Sequence, residues 1–241
     1  NVFGAPAESY NALAANHSDI LERVCTLAAR HRSYIILPML VPEAGAFYNR
    51  AYLIDAGGEI QGHYDKVHPT LGEQEQFKVK AGTVPAVFDT PYGRVALSIC
   101  YDIYFPEFFS TLTRLKPDLV FFPSLQRSDH ETASEAMLRT RAMDAKSYLI
   151  RSSYGRRADA PWKAGHMFGQ SAVVHPDGTV LANAGHYEGI ALAHVQVPFV
   201  WQRQRCGGYA AEAVWDFLEE DRRPEAYGTQ EDHSGSSGAG S

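Results

Sequence analysis

The order of strand-like and helix-like stretches constrains the fold of this chain more than any other feature. Apolar residues at helical spacing mark 19–31 and 129–146, and short apolar runs with strand character lie between them, at 33–40 and 118–124. Further strands are predicted as hairpins at 49–67, 86–100 and 169–185. Because helices and strands are mixed and some strands form hairpins, the sequence predicts an α/β fold with a mixed sheet layered by helices.

The helix predicted at 129–146 also carries an expectation about its buried side. Residues at helical spacing share one face, and we expect that face to pack inward. The residues expected on it are Ala133, Ala136, Met137, Thr140 and Met143.

Composition argues against several functional classes. The chain has 241 residues, of which 45% are hydrophobic and 21% charged, as in a globular protein with a sizeable core. Its formal net charge of −6 argues against a nucleic-acid surface, which would show a basic patch. No apolar run reaches the length that spans a membrane. We therefore predict neither a nucleic-acid partner nor a membrane partner.

The cysteines and histidines bear on the redox setting and on metals. The three cysteines, Cys25, Cys100 and Cys206, are widely spaced, and their odd number argues against a disulfide framework. A cytoplasmic location is the plain interpretation. The ten histidines show no spacing typical of zinc ligands, so a metal site has weak support and we predict no metal.

The length of the chain suits one large α/β domain better than two small ones, and we place the single domain at 1–227. The stretch 228–241 is rich in glycine and serine and poor in apolar residues, so we predict a disordered tail there. The chain begins with Asn1 rather than methionine, which leaves room for residues upstream.

The most informative stretch is RVALSICYDIYFPE at 94–107, in which an apolar strand pattern ends on Cys100. Alternation along this strand puts the small residues Ala96 and Ser98 on the same side as the thiol, which leaves room for a substrate. A cysteine nucleophile reacts as the thiolate and needs a base or a cation beside it. Taken alone, however, a cysteine at a strand end is more often a small core residue.

A second stretch, HYDKVHPTLGEQEQF at 63–77, contains a lysine that could supply the cation. A lysine held near a thiolate favours the charged thiol and stabilises a developing oxyanion. The alternative stays open, because a lone lysine is usually a solvated surface residue. Under that alternative Glu73 and Glu75 are a solvated charge run.

Taken together, these stretches resemble the nitrilase superfamily of carbon–nitrogen hydrolases. The similar segments occur in the family's order and cover most of the chain. They are YNRAYLIDAGGEIQGHYDKVH, DTPYGRVALSICYDIYFPE, RTRAMDAKSYLI, GQSAVVHPDG and DRRPEAY. The Tyr-Asp pair after Cys100 leans toward the amidase branch. The resemblance implies an α-β-β-α sandwich of mixed sheets that assembles as a homodimer or a larger homo-oligomer.

The resemblance also implies a Cys-Glu-Lys triad. Cys100 would attack the substrate carbon and form a thioester, while Lys66 and the backbone N–H of Tyr101 hold the oxyanion. Glu73 fits best as a second glutamate that orients the site, with Glu75 as the fallback. A further glutamate would act as general base toward the thiol and then toward water.

The position of that general base is the main departure from the family's pattern. The family carries it in a Leu-Pro-Glu stretch before the helix that corresponds to 19–31. This chain opens with NVFGAPAESY, which resembles the family's segment just after that glutamate. We therefore expect the first strand-helix-strand unit, and the base with it, to lie upstream of Asn1. Glu43 superficially fits the motif but lies after the helix, and Glu8 is a weaker candidate.

The activity implied is hydrolysis of a small amide or N-carbamoyl compound, with release of ammonia and without a cofactor. Nitrile hydrolysis and acyl transfer are alternatives that use the same thioester chemistry. A non-catalytic fragment or scaffold that lacks the general base is an alternative of a different class.

Overall fold

The computed structural model describes residues 15–126, 131–157 and 169–226. Glu8 and the tail at 228–241 lie outside the described residues, so the expectations for both, and for the domain limits at 1–227, stay predictions. The chain divides into two compact units, residues 1–199 and residues 200–241.

The described part of the first unit begins with a helix and a three-stranded antiparallel sheet. These are α1 (His17–His31), followed by β1 (Ile35–Glu43), β2 (Ala46–Ile54) and β3 (Ile60–Asp65). Successive residues of β2 point to opposite faces: Ala51 and Leu53 join the main core, whereas Tyr52 and Ile54 pack with α1. The hairpin predicted at 49–67 is confirmed by the pairing of β2 with β3.

A six-stranded mixed sheet forms the rest of the strand framework of this unit. In spatial order its strands are β4 (Ala86–Thr90), β5 (Gly93–Leu97), β6 (Leu119–Ser124), β7 (Tyr148–Ser153), β8 (Ala172–Val174) and β9 (Val180–Asn183). The pairs β5–β6 and β6–β7 are parallel, and the pairs on both flanks are antiparallel. The predicted mixed sheet and its two hairpins are therefore confirmed.

The described residues of this unit form three further α-helices. They are α2 (Leu71–Phe77), α3 (Pro106–Leu115) and α4 (Glu131–Ala145). Phe109 of α3 and Ala142 of α4 are fully buried in a core that also takes Leu53 from the small sheet and Leu149 from the large one. The described layers are thus a helix, two sheets and a pair of helices, which confirms the predicted α/β class.

The buried face predicted for α4 is wrong. The buried residues are Ser134, Leu138, Ala142 and Ala145. Of the residues predicted inward, Met137 is half-buried, and the exposed ones are Ala133, Ala136, Thr140 and Met143. A polar residue occupies the inner face because the Ser134 hydroxyl accepts a hydrogen bond from the Arg151 guanidinium on β7 at 2.9 Å. Apolar spacing alone does not show such a contact.

The second unit is small. Its described part contains the antiparallel strands β10 (Gln202–Gln204) and β11 (Ala211–Ala213), helix α5 (Val214–Glu220) and a 3₁₀ turn at Pro224–Ala226. Arg205 forms ion pairs with Glu220 and Asp221 within this unit.

Candidate active site

A cavity of about 370 Å³ lies where the parallel strands of the large sheet end. Crevices at the carboxyl ends of parallel strands are the usual binding positions in α/β folds. Ser124 at the end of β6 and Ser153 at the end of β7 line it, and Ser124 is the register partner of Ser153. The small sheet contributes Met39, Leu40 and Asn49 to the wall.

Three residues singled out in the sequence line this cavity together: Cys100, Lys66 and Glu73. They come from a turn after β5, from the residue directly after β3, and from α2. The fold therefore brings a thiol, an ammonium and a carboxylate into one pocket although they are distant along the chain.

The chain presents Cys100 at a sharp turn. Strand β5 ends at Leu97, so the strand alternation expected to reach Cys100 stops before it. Cys100 begins the 3₁₀ turn Cys100–Tyr104 with φ +46°, a left-handed conformation that costs a non-glycine residue about 1–3 kcal/mol. The thiol is half-buried, and its Sγ lies 3.6 Å from the carbonyl oxygen of Leu125. Nucleophiles of α/β hydrolases are exposed by a similarly strained turn.

Lys66 is a buried cation. Its side chain has 0% exposure, and its Nζ lies 2.7 Å from Oε2 of Glu73, whose side chain is 3% exposed. A buried charge persists only when it is paired and hydrogen-bonded. This burial excludes the alternative in which Lys66 and Glu73 are solvated surface residues. The fallback residue Glu75 is exposed.

Glu73 is held by the N-terminus of α2. The backbone N–H of Thr70 donates to Glu73 Oε2 at 2.6 Å, and the backbone N–H of Glu73 donates to Thr70 Oγ1 at 3.3 Å. This reciprocal pair is a capping box. The side-chain amide of Asn49 donates to Oε1 at 2.7 Å. Both carboxylate oxygens are therefore fixed by donors.

The surroundings of Glu73 act on its pKa in opposite directions. Burial raises the pKa, but the charge of Lys66 and the hydrogen bonds from Lys66, Thr70 and Asn49 outweigh burial and hold it below its ordinary value. Glu73 is therefore ionised at neutral pH and faces Lys66 as a carboxylate.

The two remaining candidates that the structure describes are Tyr101 and Glu43. Tyr101 comes directly after Cys100 in the same turn, and its ring packs edge-on against Phe105. Glu43 is not among the described residues that line the cavity; its side chain is 53% exposed and accepts from Arg50 Nη1 at 2.8 Å. The geometry therefore does not support a role for Glu43 as the general base.

Sequence analysis missed two polar residues of this region. Asn49 falls in a predicted strand, and Asp102 stands out in the sequence only as an acidic residue beyond a strand end. Asn49 orients Glu73, whereas Asp102 is fully buried within the turn that begins with Cys100. A polar residue in or beside an otherwise apolar strand was the available signal.

The other two cysteines lie elsewhere. Cys25 packs against the small sheet from α1, and Cys206 is exposed in the second unit. Within the described ranges, no group of three or more His, Cys, Asp and Glu side chains is placed to hold a metal ion. The helices in those ranges are all too short or too polar to cross a membrane. The expectations of no metal, no cofactor and no membrane partner stay predictions.

The layered α/β fold, with a thiol and a buried lysine–glutamate pair lining one cavity, is typical of one class of enzyme, and comparison with known proteins identifies the class. The profile of the carbon–nitrogen hydrolase family matches residues 2–203. The chain therefore belongs to the carbon–nitrogen hydrolase family, as the resemblance predicted.

Curated relatives include two amidases. Deaminated glutathione amidase of Mus musculus is 31% identical over 193 residues, which are 76% of this chain and 55% of that protein. Omega-amidase NIT2 of Homo sapiens is 30% identical over 204 residues, which are 76% of this chain and 72% of that protein. The chain thus spans little more than half the length of the mouse relative.

Solved structures share the fold. The NitN amidase from Neterenkonia sp. AN1 superposes with a TM-score of 0.72 at 24% identity, covering 93% of this chain and 80% of that one. Nit3 of Saccharomyces cerevisiae, a nitrilase-superfamily member, has a TM-score of 0.60 at 26% identity, covering 71% of this chain and 62% of that one. These likenesses confirm the nitrilase-type sandwich.

Proposed function

We propose that this chain carries the catalytic site of an amide hydrolase that works through a thioester on Cys100. The observation that carries the proposal is that the Cys100 thiol and the buried Lys66–Glu73 pair line one cavity. Amide chemistry is favoured because the mouse and human relatives are both named amidases. The activity and the substrate class are taken from proteins of which this chain covers only part.

In the proposed reaction the Cys100 thiolate attacks the carbonyl carbon of a small amide. The Lys66 ammonium and the backbone N–H of Tyr101 stabilise the oxyanion that forms. The C–N bond breaks, ammonia leaves with the proton taken from the thiol, and the acyl group stays on sulfur as a thioester. Water then attacks the thioester, which releases the carboxylic acid and restores the thiol. Glu73 keeps Lys66 in place.

The general base is proposed to come from outside the described residues. Among the described residues that line the cavity, Glu73 is the sole carboxylate, and donors from Lys66, Thr70 and Asn49 already occupy it. A base must reach the proton that it removes. We favour the glutamate expected upstream of Asn1 over Glu8.

The cavity wall favours a small substrate with a largely apolar body. Met39, Leu40 and Leu125 supply apolar surface. The hydroxyl oxygens of Ser124 and Ser153 have no hydrogen-bond partner among the described residues. A ligand pocket commonly combines an apolar lining with a few such polar groups. We infer a small substrate whose body is largely apolar.

Ammonia release tests the proposal. Small amides, N-carbamoyl amino acids and nitriles are incubated with the chain and with a version extended upstream. We expect release from amides by the extended version, and a loss of more than about 1,000-fold in Cys100→Ala. Cys25→Ala is the matched thiol control and should keep full activity.

Three other outcomes support stated alternatives. Preferred turnover of nitriles favours nitrile hydrolysis, and transfer to added hydroxylamine without hydrolysis favours acyl transfer. No release by either version favours the non-catalytic scaffold. The homo-oligomeric state and the cytoplasmic location stay predictions.

A further inference from the structure

A buried carboxylate connects the two halves of the proposed site. Asp102 lies in the turn that begins with Cys100 and has 0% exposure. It is not among the described residues that line the cavity, so the geometry gives it no contact with a substrate. Its hydrogen-bond partners nevertheless flank both Cys100 and Lys66.

On the cysteine side, Asp102 closes the turn. Its Oδ2 accepts the backbone N–H of Ile99, the residue before Cys100, at 2.8 Å. The backbone N–H of Asp102 donates in turn to the Ile99 carbonyl at 3.1 Å. Cys100 sits within this closed turn at φ +46°. Such a conformation persists only where the surroundings hold it.

On the lysine side, the same carboxylate holds the chain around Lys66. Tyr64 Oη donates to Asp102 Oδ2 at 2.8 Å and accepts the backbone N–H of Val67 at 3.0 Å. Asp102 Oδ1 accepts the backbone N–H of His68 at 3.1 Å and lies 2.8 Å from the ring Nδ1 of His68. These contacts fix the residues on both sides of Lys66.

Ring stacking strengthens the same connection. The His68 ring stacks on Phe105, with centroids 3.7 Å apart and planes 8° from parallel. Phe105 comes directly after the turn that contains Cys100 and Asp102. The segment that carries Lys66 and the segment that carries Cys100 are therefore joined in two ways. The Asp102 carboxylate accepts hydrogen bonds at both of its oxygens, and the ring of His68 stacks on that of Phe105.

We propose that Asp102 is the positioning residue that sets the Cys100 thiol against the Lys66 ammonium. One carboxylate bonds to the residue before the cysteine and to the residues around the lysine, so it fixes the separation of two side chains that it does not itself contact. This inference rests on the proposed function, because it concerns the placement of that pair. Misplacement by about 1 Å is enough to cost about 100-fold in rate.

The pH profile of Cys100 alkylation tests the proposal without turnover. Iodoacetamide reacts with the thiolate, and a cation held beside a thiol lowers the pH at which the thiolate forms. Asp102→Asn should release Lys66 from that position, so the midpoint of the Cys100 profile should rise by about one pH unit. Cys25 and Cys206, monitored by mass spectrometry in the same samples, should keep their midpoints.

Two other results for Asp102→Asn would overturn the proposal. If Asp102 acted on the thiol only through its negative charge, removal of that charge would lower the midpoint. If Asp102 had a purely structural role, the folded variant would keep the midpoint unchanged and would only melt at a lower temperature.

A second variant tests the proposal if Asp102→Asn fails to fold. Tyr64→Phe keeps the Asp102 charge and removes the hydroxyl bridge to Val67, so the Cys100 midpoint should again rise, by a smaller amount. Tyr148→Phe, at a buried tyrosine on β7, is the matched control and should not shift the midpoint. An unchanged midpoint in Tyr64→Phe would contradict the proposal.

Turnover separates this inference from the proposed function. In a parent protein that releases ammonia, Asp102→Asn should lower kcat about 100-fold while KM stays within about threefold. A parent that releases no ammonia, but whose Cys100 midpoint rises in Asp102→Asn, contradicts the proposed function and supports the positioning role.

Discussion

At the scale of the residue, Glu73 combines contacts that are usually divided among several side chains. Its carboxylate caps α2, pairs with Lys66 and accepts from the amide of Asn49. Glu73 and Lys66 are both buried, where an unpaired charge is costly. A change at Glu73 therefore acts on stability as well as on the site.

We expect Glu73→Gln to lower the free energy of unfolding by about 3–5 kcal/mol, because it leaves the Lys66 ammonium buried opposite a neutral amide. Urea denaturation measures this change. Glu75→Gln, at the exposed neighbouring glutamate, is the matched control and should stay within about 0.5 kcal/mol of the parent. Similar small changes in both variants would contradict a buried ion pair.

The pKa of Glu73 determines how the difference in unfolding free energy between the parent and Glu73→Gln depends on pH. Because the folded pKa lies below the ordinary value, the carboxylate stabilises the fold at pH values above the unfolded glutamate pKa of about 4.3. This contribution is lost as the pH falls through the lower folded pKa. The parent and Glu73→Gln should therefore become more alike in acid.

At the scale of the element, helix α2 depends on its cap. It has only 7 residues, and isolated helices of that length are not stable in water. Thr70→Ala removes the hydroxyl that receives the Glu73 N–H and should cost about 1 kcal/mol of unfolding free energy. Thr70→Ser keeps a hydroxyl and should restore most of it. Equal stability of Thr70→Ala and the parent would show that the cap is dispensable.

Helix α2 also shows which kind of structure the sequence patterns did not predict. Hairpins and their strands were predicted correctly because alternation and turn residues are local signals. Helix α2 was missed because 71–77 is short and mostly polar, and its helical state comes from the cap and from burial of Glu73 and Phe77. The prediction of the buried face of α4 was wrong because a polar residue, Ser134, lies on that face, where its hydroxyl accepts a hydrogen bond from Arg151.

Some residues of the site were predicted from sequence motifs, and others were found only in the structure. Cys100, Lys66 and Glu73 stand in recognisable motifs, and the fold places them in one cavity. Asn49 and Asp102 stand out in the sequence only as polar residues in or beside apolar strands, and side-chain partners 24 to 38 positions away show what they hold in place.

At the scale of the whole molecule, one core joins the two sheets of the first unit. Leu53 of the small sheet and Leu149 of the large sheet are both buried in it. Leu53→Ala and Leu149→Ala should each lower the free energy of unfolding by about 2–5 kcal/mol. Each variant should still unfold in a single transition. Exposed Leu192 provides the control, and Leu192→Ala should have little effect. Two separate transitions, seen by circular dichroism and by fluorescence, would contradict a shared core.

The complete burial of Lys66 also has a practical consequence for handling the protein. Amine-reactive reagents modify lysines that solvent reaches, such as the exposed Lys78 and Lys80, more readily than a buried ammonium that is paired with Glu73. The protein can therefore be immobilised on an activated resin, or tagged with a bulky dye, through its exposed lysines.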